Sequence, residues 1–147
     1  MKKYKSIYAF AFIAILFSCS SDDNSVTDTE KPAIVIHAPT NDQEFHTTDE
    51  IYANISFSDN VELASYKIDI HFAGDGHAHR QMQDDFIEWN YETMGIVSGK
   101  NDEINLNITI PENTKEGHYH FGVYALDQAG NQEVQWIELN IHSHAHE

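Results

Sequence analysis

This 147-residue chain has a single cysteine, Cys19, so no disulfide can form within it. Basic residues are scarce as well: eight Lys and Arg stand against 24 Asp and Glu, a formal net charge of −16. A chain this acidic repels nucleic acid and anionic membrane surfaces and concentrates cations around itself. No nucleic-acid partner is expected. Apart from Ile7 to Phe17, which is too short to span a bilayer as a helix, there is no long apolar run. Amphipathic helical periodicity is missing too. So are a His-Glu-x-x-His helix, a phosphate-binding Gly-rich loop and a Ser-His-Asp order. A zinc hydrolase would need three protein ligands, an open coordination position and a pocket that excludes water. The expectation is a protein that is not an enzyme.

What the chain does have is ten histidines. They fall as His37, His46, His71, His77/His79, His118/His120 and His142/His144/His146, with three groups in His-x-His spacing. Neutral imidazole is the commonest protein ligand for transition metals and is available near neutral pH. A lone surface histidine is ordinarily a solvated side chain. Paired histidines on one strand face are a different matter, because alternation points residues i and i+2 the same way.

The N-terminus carries the marks of export: Lys2, Lys3 and Lys5 precede the apolar run, which ends in Leu16-Phe17-Ser18-Cys19. This ending resembles a bacterial lipobox, which implies cleavage before Cys19 and its lipidation. The following Ser20-Ser21-Asp22-Asp23-Asn24 resembles the acidic tether of Bacteroidota-type lipoproteins. That resemblance implies a lipid-anchored protein of the outer membrane, at the cell surface or on its periplasmic face. The organisation expected is a signal peptide over 1–18, a lipidated cysteine with a flexible acidic tether over 19–31, and one domain over 32–147. Losing residues 1–18 removes three of the eight basic residues and none of the 24 acids, leaving a formal charge of −19.

Within that domain, short alternating segments are separated by turn-rich stretches. The pattern predicts strands over Ala33–His37, Ile51–Phe57, Leu63–Phe72, Phe86–Tyr91, Glu103–Ile110, His118–Leu126 and Gln132–His142. About seven such strands predict an all-β, immunoglobulin-like antiparallel β-sandwich. Phe57-Ser58-Asp59-Asn60-Val61-Glu62-Leu63-Ala64-Ser65-Tyr66 resembles the B–C corner of bacterial Ig-like repeats. The stretch from Tyr119 to Asn131, ending Asp127-Gln128-Ala129-Gly130-Asn131, resembles their F–G hairpin. The whole is similar to an uncharacterised family of His-rich, single-domain Ig-like lipoproteins. That resemblance implies a scaffold and no chemistry.

Alternation places Tyr66, Ile68, Ile70 and Phe72 in the core with His71 outside. It likewise buries Tyr119, Phe121, Val123 and Ala125 with His118 and His120 outside, and Ile137, Leu139 and Ile141 with His142 and His144 outside. Following the strand directions brings all ten histidines to one end of the sandwich. Folding the last hairpin about Ala129-Gly130 predicts His118 opposite His142, with Cβ atoms about 4.5–5.5 Å apart. The expected metal ligands are therefore His71, His77, His79, His118, His120, His142 and His144. Asp75, Asp84, Asp85 and Glu88 are candidates to support them. Imidazole donors suit Zn²⁺, with Cu²⁺ and Ni²⁺ as alternatives, and calcium is disfavoured. The expected function is capture, buffering or delivery of the ion, an outer-membrane transporter being one recipient. The alternative is an adhesion, glycan-binding or protein-binding module using Trp136 and Tyr124, which parity also turns outward and the same register sets opposite each other.

Overall fold

The computed structural model describes residues 27–74 and 86–143, and among these no helix forms. Eight strands build two sheets packed face to face. They are β1 (Ala33–Ala38), β2 (Gln43–His46), β3 (Glu50–Ser58), β4 (Leu63–Gly74), β5 (Asn90–Ile96), β6 (Asn101–Thr109), β7 (Gly117–Asp127) and β8 (Gln132–His142). One sheet has the order β1-β3-β6 and the other β2-β8-β7-β4-β5. All pairings are antiparallel except β2 with β8. The protein is thus a β-sandwich with the immunoglobulin-type layering in which the C, F and G strands share a sheet with F in the middle.

The core follows from period-two alternation. β3 buries Ile51, Ala53, Ile55 and Phe57, and facing it β7 buries Tyr119, Phe121, Val123 and Ala125. Ile68 and Ile70 of β4 and Leu139 and Ile141 of β8 complete the layer. Each large side chain among these contributes about 1.5–3 kcal/mol when taken from water, and the alanines less. Tyr119 adds a corner: its hydroxyl donates to the Lys115 carbonyl oxygen at 2.8 Å, just before β7 begins. Immunoglobulin-type sandwiches tie their E–F corner in this way.

Three expectations need correction. The segment between β1 and β3 contains β2, whose alternation (Phe45 buried, Glu44 and His46 exposed) covers only four residues. It adds to the edge of the histidine-bearing sheet beside β8. The strand expected over Phe86–Tyr91 lies instead at Asn90–Ile96. Phe86 and Ile87 are exposed, and only Ile87 makes an isolated bridge, to Thr114. Within β5 the Tyr66 ring lies over Gly95, where a Cβ would collide.

The third correction is the β7–β8 register. Leu126 pairs with Gln132, so the hairpin is centred on Ala129 and His118 lies opposite Asn140, not His142. The cause is the Asp127 side chain. Its Oδ1 accepts from the Asn131 amide and its Oδ2 from the Asn131 side-chain amide, both at 2.7 Å, closing a loop whose tip is Gln128-Ala129-Gly130. Gly130 takes the left-handed conformation this tip needs, with φ of 93°. Burial pushes the Asp127 carboxyl up, but the hydrogen bonds from Asn131 and from the Gly130 and Ala129 amides outweigh it and hold the pKa below the ordinary carboxylate value.

Candidate metal site on the five-stranded sheet

The outer face of the five-stranded sheet is a ladder of side chains. β4 contributes Lys67, Asp69 and His71; β7 contributes Tyr124, Gly122, His120 and His118; β8 contributes Val134, Trp136, Glu138, Asn140 and His142. His71 and His120 are direct cross-strand partners, and Glu138 is the next residue along that rung. The backbone therefore fixes which imidazoles meet.

The rings of His71 and His120 stand edge to face, 5.2 Å between centroids. His71 Nδ1 is 2.6 Å from Asp69 Oδ1. An ionised carboxylate only accepts, so Nδ1 of His71 carries the hydrogen and its Nε2 presents a lone pair. That lone pair faces His120 Nδ1 at 3.3 Å. With its hydrogen on Nδ1, His120 donates across this gap. Two nitrogens bound at 2.0–2.1 Å to one tetrahedral ion stand roughly 3.3–3.4 Å apart, the same separation. For His120 to ligate through Nδ1, its hydrogen must sit on Nε2. There the Glu138 carboxylate is 4.0 Å away. Asp69 thus backs His71 with the kind of hydrogen bond that orients metal-binding histidines, while Glu138 stands near His120 without bonding to it.

Two neighbours restrain the pair. Trp136 lies opposite Gly122 and its six-membered ring occupies the space a Cβ there would fill. This lets the indole lie against the sheet, 5.4 Å from the His71 ring, 6.0 Å from His120 and 5.6 Å from Tyr124. Trp136 remains 41% exposed, so it walls the site without closing it. Tyr124 pairs with Val134 and meets Trp136 diagonally, which corrects the expectation that the two are directly opposed. On the other side Lys67 reaches Asp69 at 3.6 Å and Glu92 at 3.2 Å. The hydrogen bond to Glu92 is the main cause of a raised Lys67 pKa.

Among the expected ligands, the structure joins His71 and His120. His118 is exposed on the next rung, opposite Asn140. His142 stands beside His46, which is outside the expected ligand set. His77, His79, His144, His146, Cys19, Asp75, Asp84 and Asp85 lie outside the described residues. Glu88 pairs with Lys115 at 3.1 Å instead of supporting a histidine. His37 sits on β1 in the three-stranded sheet, apart from the histidines of β4, β7 and β8, and its Nε2 is 2.8 Å from Ser56 Oγ.

A separate acidic group is formed by Asp28, Asp59 and Asp127, whose carboxylate oxygens lie within 4.8 Å of one another. Asp59 Oδ1 accepts from the Val61 and Glu62 amides, and Asp28 Oδ1 from the Asn60 side chain and the Glu30 amide. The Asp59 bonds shape the turn at Asp59-Asn60, and the Asp28 bond to Asn60 ties the segment before β1 to that turn.

Fold and site define a class: a small β-sandwich with a carboxylate-backed histidine pair on an open sheet face. The chain belongs to the family described as "Domain of unknown function (DUF4625)", whose sequence model matches residues 17–142. No curated protein matches it. Among solved structures it is similar to the sporulation control protein Spo0M of Bacillus subtilis, at 9% identity and a TM-score of 0.46, covering 78% of this chain and 49% of that one. It is also similar to a DUF4466 family protein of Parabacteroides merdae, at 11% identity and a TM-score of 0.45, covering 75% and 42%. A third is a β-glucosidase of Listeria innocua, at 9% identity and a TM-score of 0.44, covering 75% and 16%. The chain therefore spans less than half the length of each of these proteins.

Proposed function

We propose that this protein is an exported lipoprotein, anchored through Cys19 at the outer membrane, that binds a divalent transition metal through His71 and His120. The observation that carries this reading is the 3.3 Å gap between His71 Nε2 and His120 Nδ1, with Asp69 holding the far nitrogen of His71. Imidazole donors without thiolate favour Zn²⁺ over softer ions, with Cu²⁺ and Ni²⁺ close competitors. Two protein nitrogens leave the other coordination positions to water or to a second molecule. Capture and hand-over suit such a site better than permanent storage, and an outer-membrane transporter is one recipient. The acidic surface raises the local cation concentration.

Zinc titration by calorimetry tests the reading. Replacing both His71 and His120 with alanine should abolish the tightest binding while leaving the β-type circular dichroism unchanged, because both side chains face away from the core. His118→Ala should do less. Unaltered zinc binding by the double variant would sink the proposal. The anchor is tested separately: Cys19→Ala should lose partitioning into detergent, and unchanged partitioning would remove the lipid from the reading.

A second reading, an adhesion module built on Trp136 and Tyr124, has one observation in its favour: the indole is exposed. The same ring packs against both histidines, so in the metal reading it restrains the ligands. A glycan or protein partner would bind in the presence of chelator and depend on Trp136, which separates the two readings.

A further inference from the structure

A second imidazole pair lies on the same sheet, away from His71 and His120. β2 runs parallel to β8, and the register sets His46 beside His142. Their ring centroids are 5.8 Å apart, with planes tilted by 46°. Both face away from the core, since their neighbours Phe45 and Ile141 are buried. The strands are tied at this point by the Thr47 amide, which donates to the His142 carbonyl oxygen at 2.9 Å. Asp49 Oδ2 accepts from the His46 amide at 2.7 Å and stands 3.8 Å from His46 Nδ1. The ingredients of the first site recur here: two imidazoles on adjacent strands, with a carboxylate beside one of them that the local backbone holds in place.

We infer that His46 and His142 hold a second divalent transition metal ion, separate from the one at His71 and His120. The inference rests on the proposed function for the class of metal, and on its own residues for the place. His120 lies opposite Glu138, and His142 is four residues further along β8. At 3.3–3.4 Å per residue and 4.7–4.9 Å per strand spacing, the two pairs are roughly 16 Å apart. One ion cannot bridge that distance, so the sites fill independently. Surface charge is the shared feature: a first bound dication lowers the affinity of the second only weakly through screened solvent.

The test uses the full-length chain in detergent, with His77, His79, His144 and His146 all replaced by alanine so that only the described histidines contribute. Zn²⁺ calorimetry should count two ions. Adding His46→Ala with His142→Ala should leave one, and adding His71→Ala with His120→Ala should also leave one. Cu²⁺ loading should give a pulsed dipolar distance of roughly 16 Å between paramagnetic centres, absent from either double variant. Suppose the starting protein binds one ion, lost with His71 and His120 and untouched by the His46 and His142 changes. The second site would then be overturned while the proposed function stands. One ion with the opposite dependence would support the second site and overturn the assignment of the first. A single ion lost in both double variants would overturn their separation, and no binding at all would overturn both.

Discussion

Asp69 is the residue through which the candidate site can be tested without removing a ligand. Its Oδ1 lies 2.6 Å from His71 Nδ1, and its side chain is 23% exposed on the outer face of the sheet. Asp69→Asn keeps the size and the strand and removes the charge. The amide presents oxygen or nitrogen to His71 with little preference, so the tautomer that frees Nε2 is no longer imposed. Loss of such a partner behind a metal-binding histidine costs about 10–100-fold in affinity, which is about 1.4–2.8 kcal/mol. The ion pair to Lys67 is lost as well, but an exposed pair contributes about 0–1 kcal/mol and should not register in metal binding. Glu92→Gln is the control. It changes the charge of the same face by the same amount and touches Lys67, not a histidine. Zinc calorimetry at pH 7.5 should show the 10–100-fold loss for Asp69→Asn and little change for Glu92→Gln, with both melting like the parent. Equal losses in the two variants would mean that the acidic field attracts the ion and that His71 needs no positioning. No loss in either would refute the site.

Three further predictions follow from particular groups. Cu²⁺ bound at His71 and His120 should quench Trp136 fluorescence, since the indole centroid is within 5.4–6.0 Å of both rings, and His71→Ala with His120→Ala should abolish the quenching. The Tyr119 hydroxyl is pushed up to about 12, chiefly by burial, so the folded state holds its proton more tightly than the unfolded chain does. The stability this contributes is present below about pH 10 and is lost as pH rises from there to about 12, roughly 2–3 kcal/mol in all. Tyr119→Phe should flatten that alkaline loss in denaturant melts, at a cost near neutral pH of about 1 kcal/mol for the missing bond to Lys115. The Asp127 carboxyl is held below the ordinary value, so its contribution is present above about pH 4 and disappears as pH falls through the folded-state pKa. Asp127→Asn should be less stable than the parent at pH 7 and should approach it at pH 2, which thermal melts at the two pH values would reveal.

The sandwich was legible because alternation is a local signal. Ile68 and Ile70, or Phe121 and Val123, announce their face within a few residues, and β3 and β7 each bury four such positions. Short β2 offered only Phe45 between Glu44 and His46, too brief to separate from a loop. The apolar pair Phe86-Ile87 suggested a strand, but the core contact there is made by Trp89, which is buried. The outward face of the histidines was legible for the same reason as the core. Their pairing was not, because it depends on register, and register depends on a turn. Alternation cannot detect a slip of two residues, since every side chain keeps its face. The Asp127–Asn131 contact sets that slip. It moves His118 from His142 to Asn140, and it sets Trp136 over Gly122, beside His120. The signal available was the Asp-x-Ala-Gly-Asn turn itself, whose side-chain closure centres the hairpin on Ala129.

A pair drawn from two interior strands of a five-stranded sheet has a consequence for binding. His71 and His120 are held by pairing on both sides, β5 and β7 for β4, and β4 and β8 for β7. Their Cα positions cost nothing further to order when an ion arrives, and Trp136 limits the rotation of both rings. The pair at His46 and His142 draws one ligand from β2, a four-residue strand at the sheet edge. Edge strands have fewer ladder bonds, so a site there pays more to be ordered. Two imidazole pairs of similar chemistry on one face should therefore differ in affinity, the inner one being tighter. A graded pair of this kind lets a protein hold an ion at low supply and take a second as supply rises. Calorimetry on the chain with His77, His79, His144 and His146 replaced distinguishes this from equal sites: two resolved steps fit the graded arrangement, and a single step of stoichiometry two would show that strand position makes no difference.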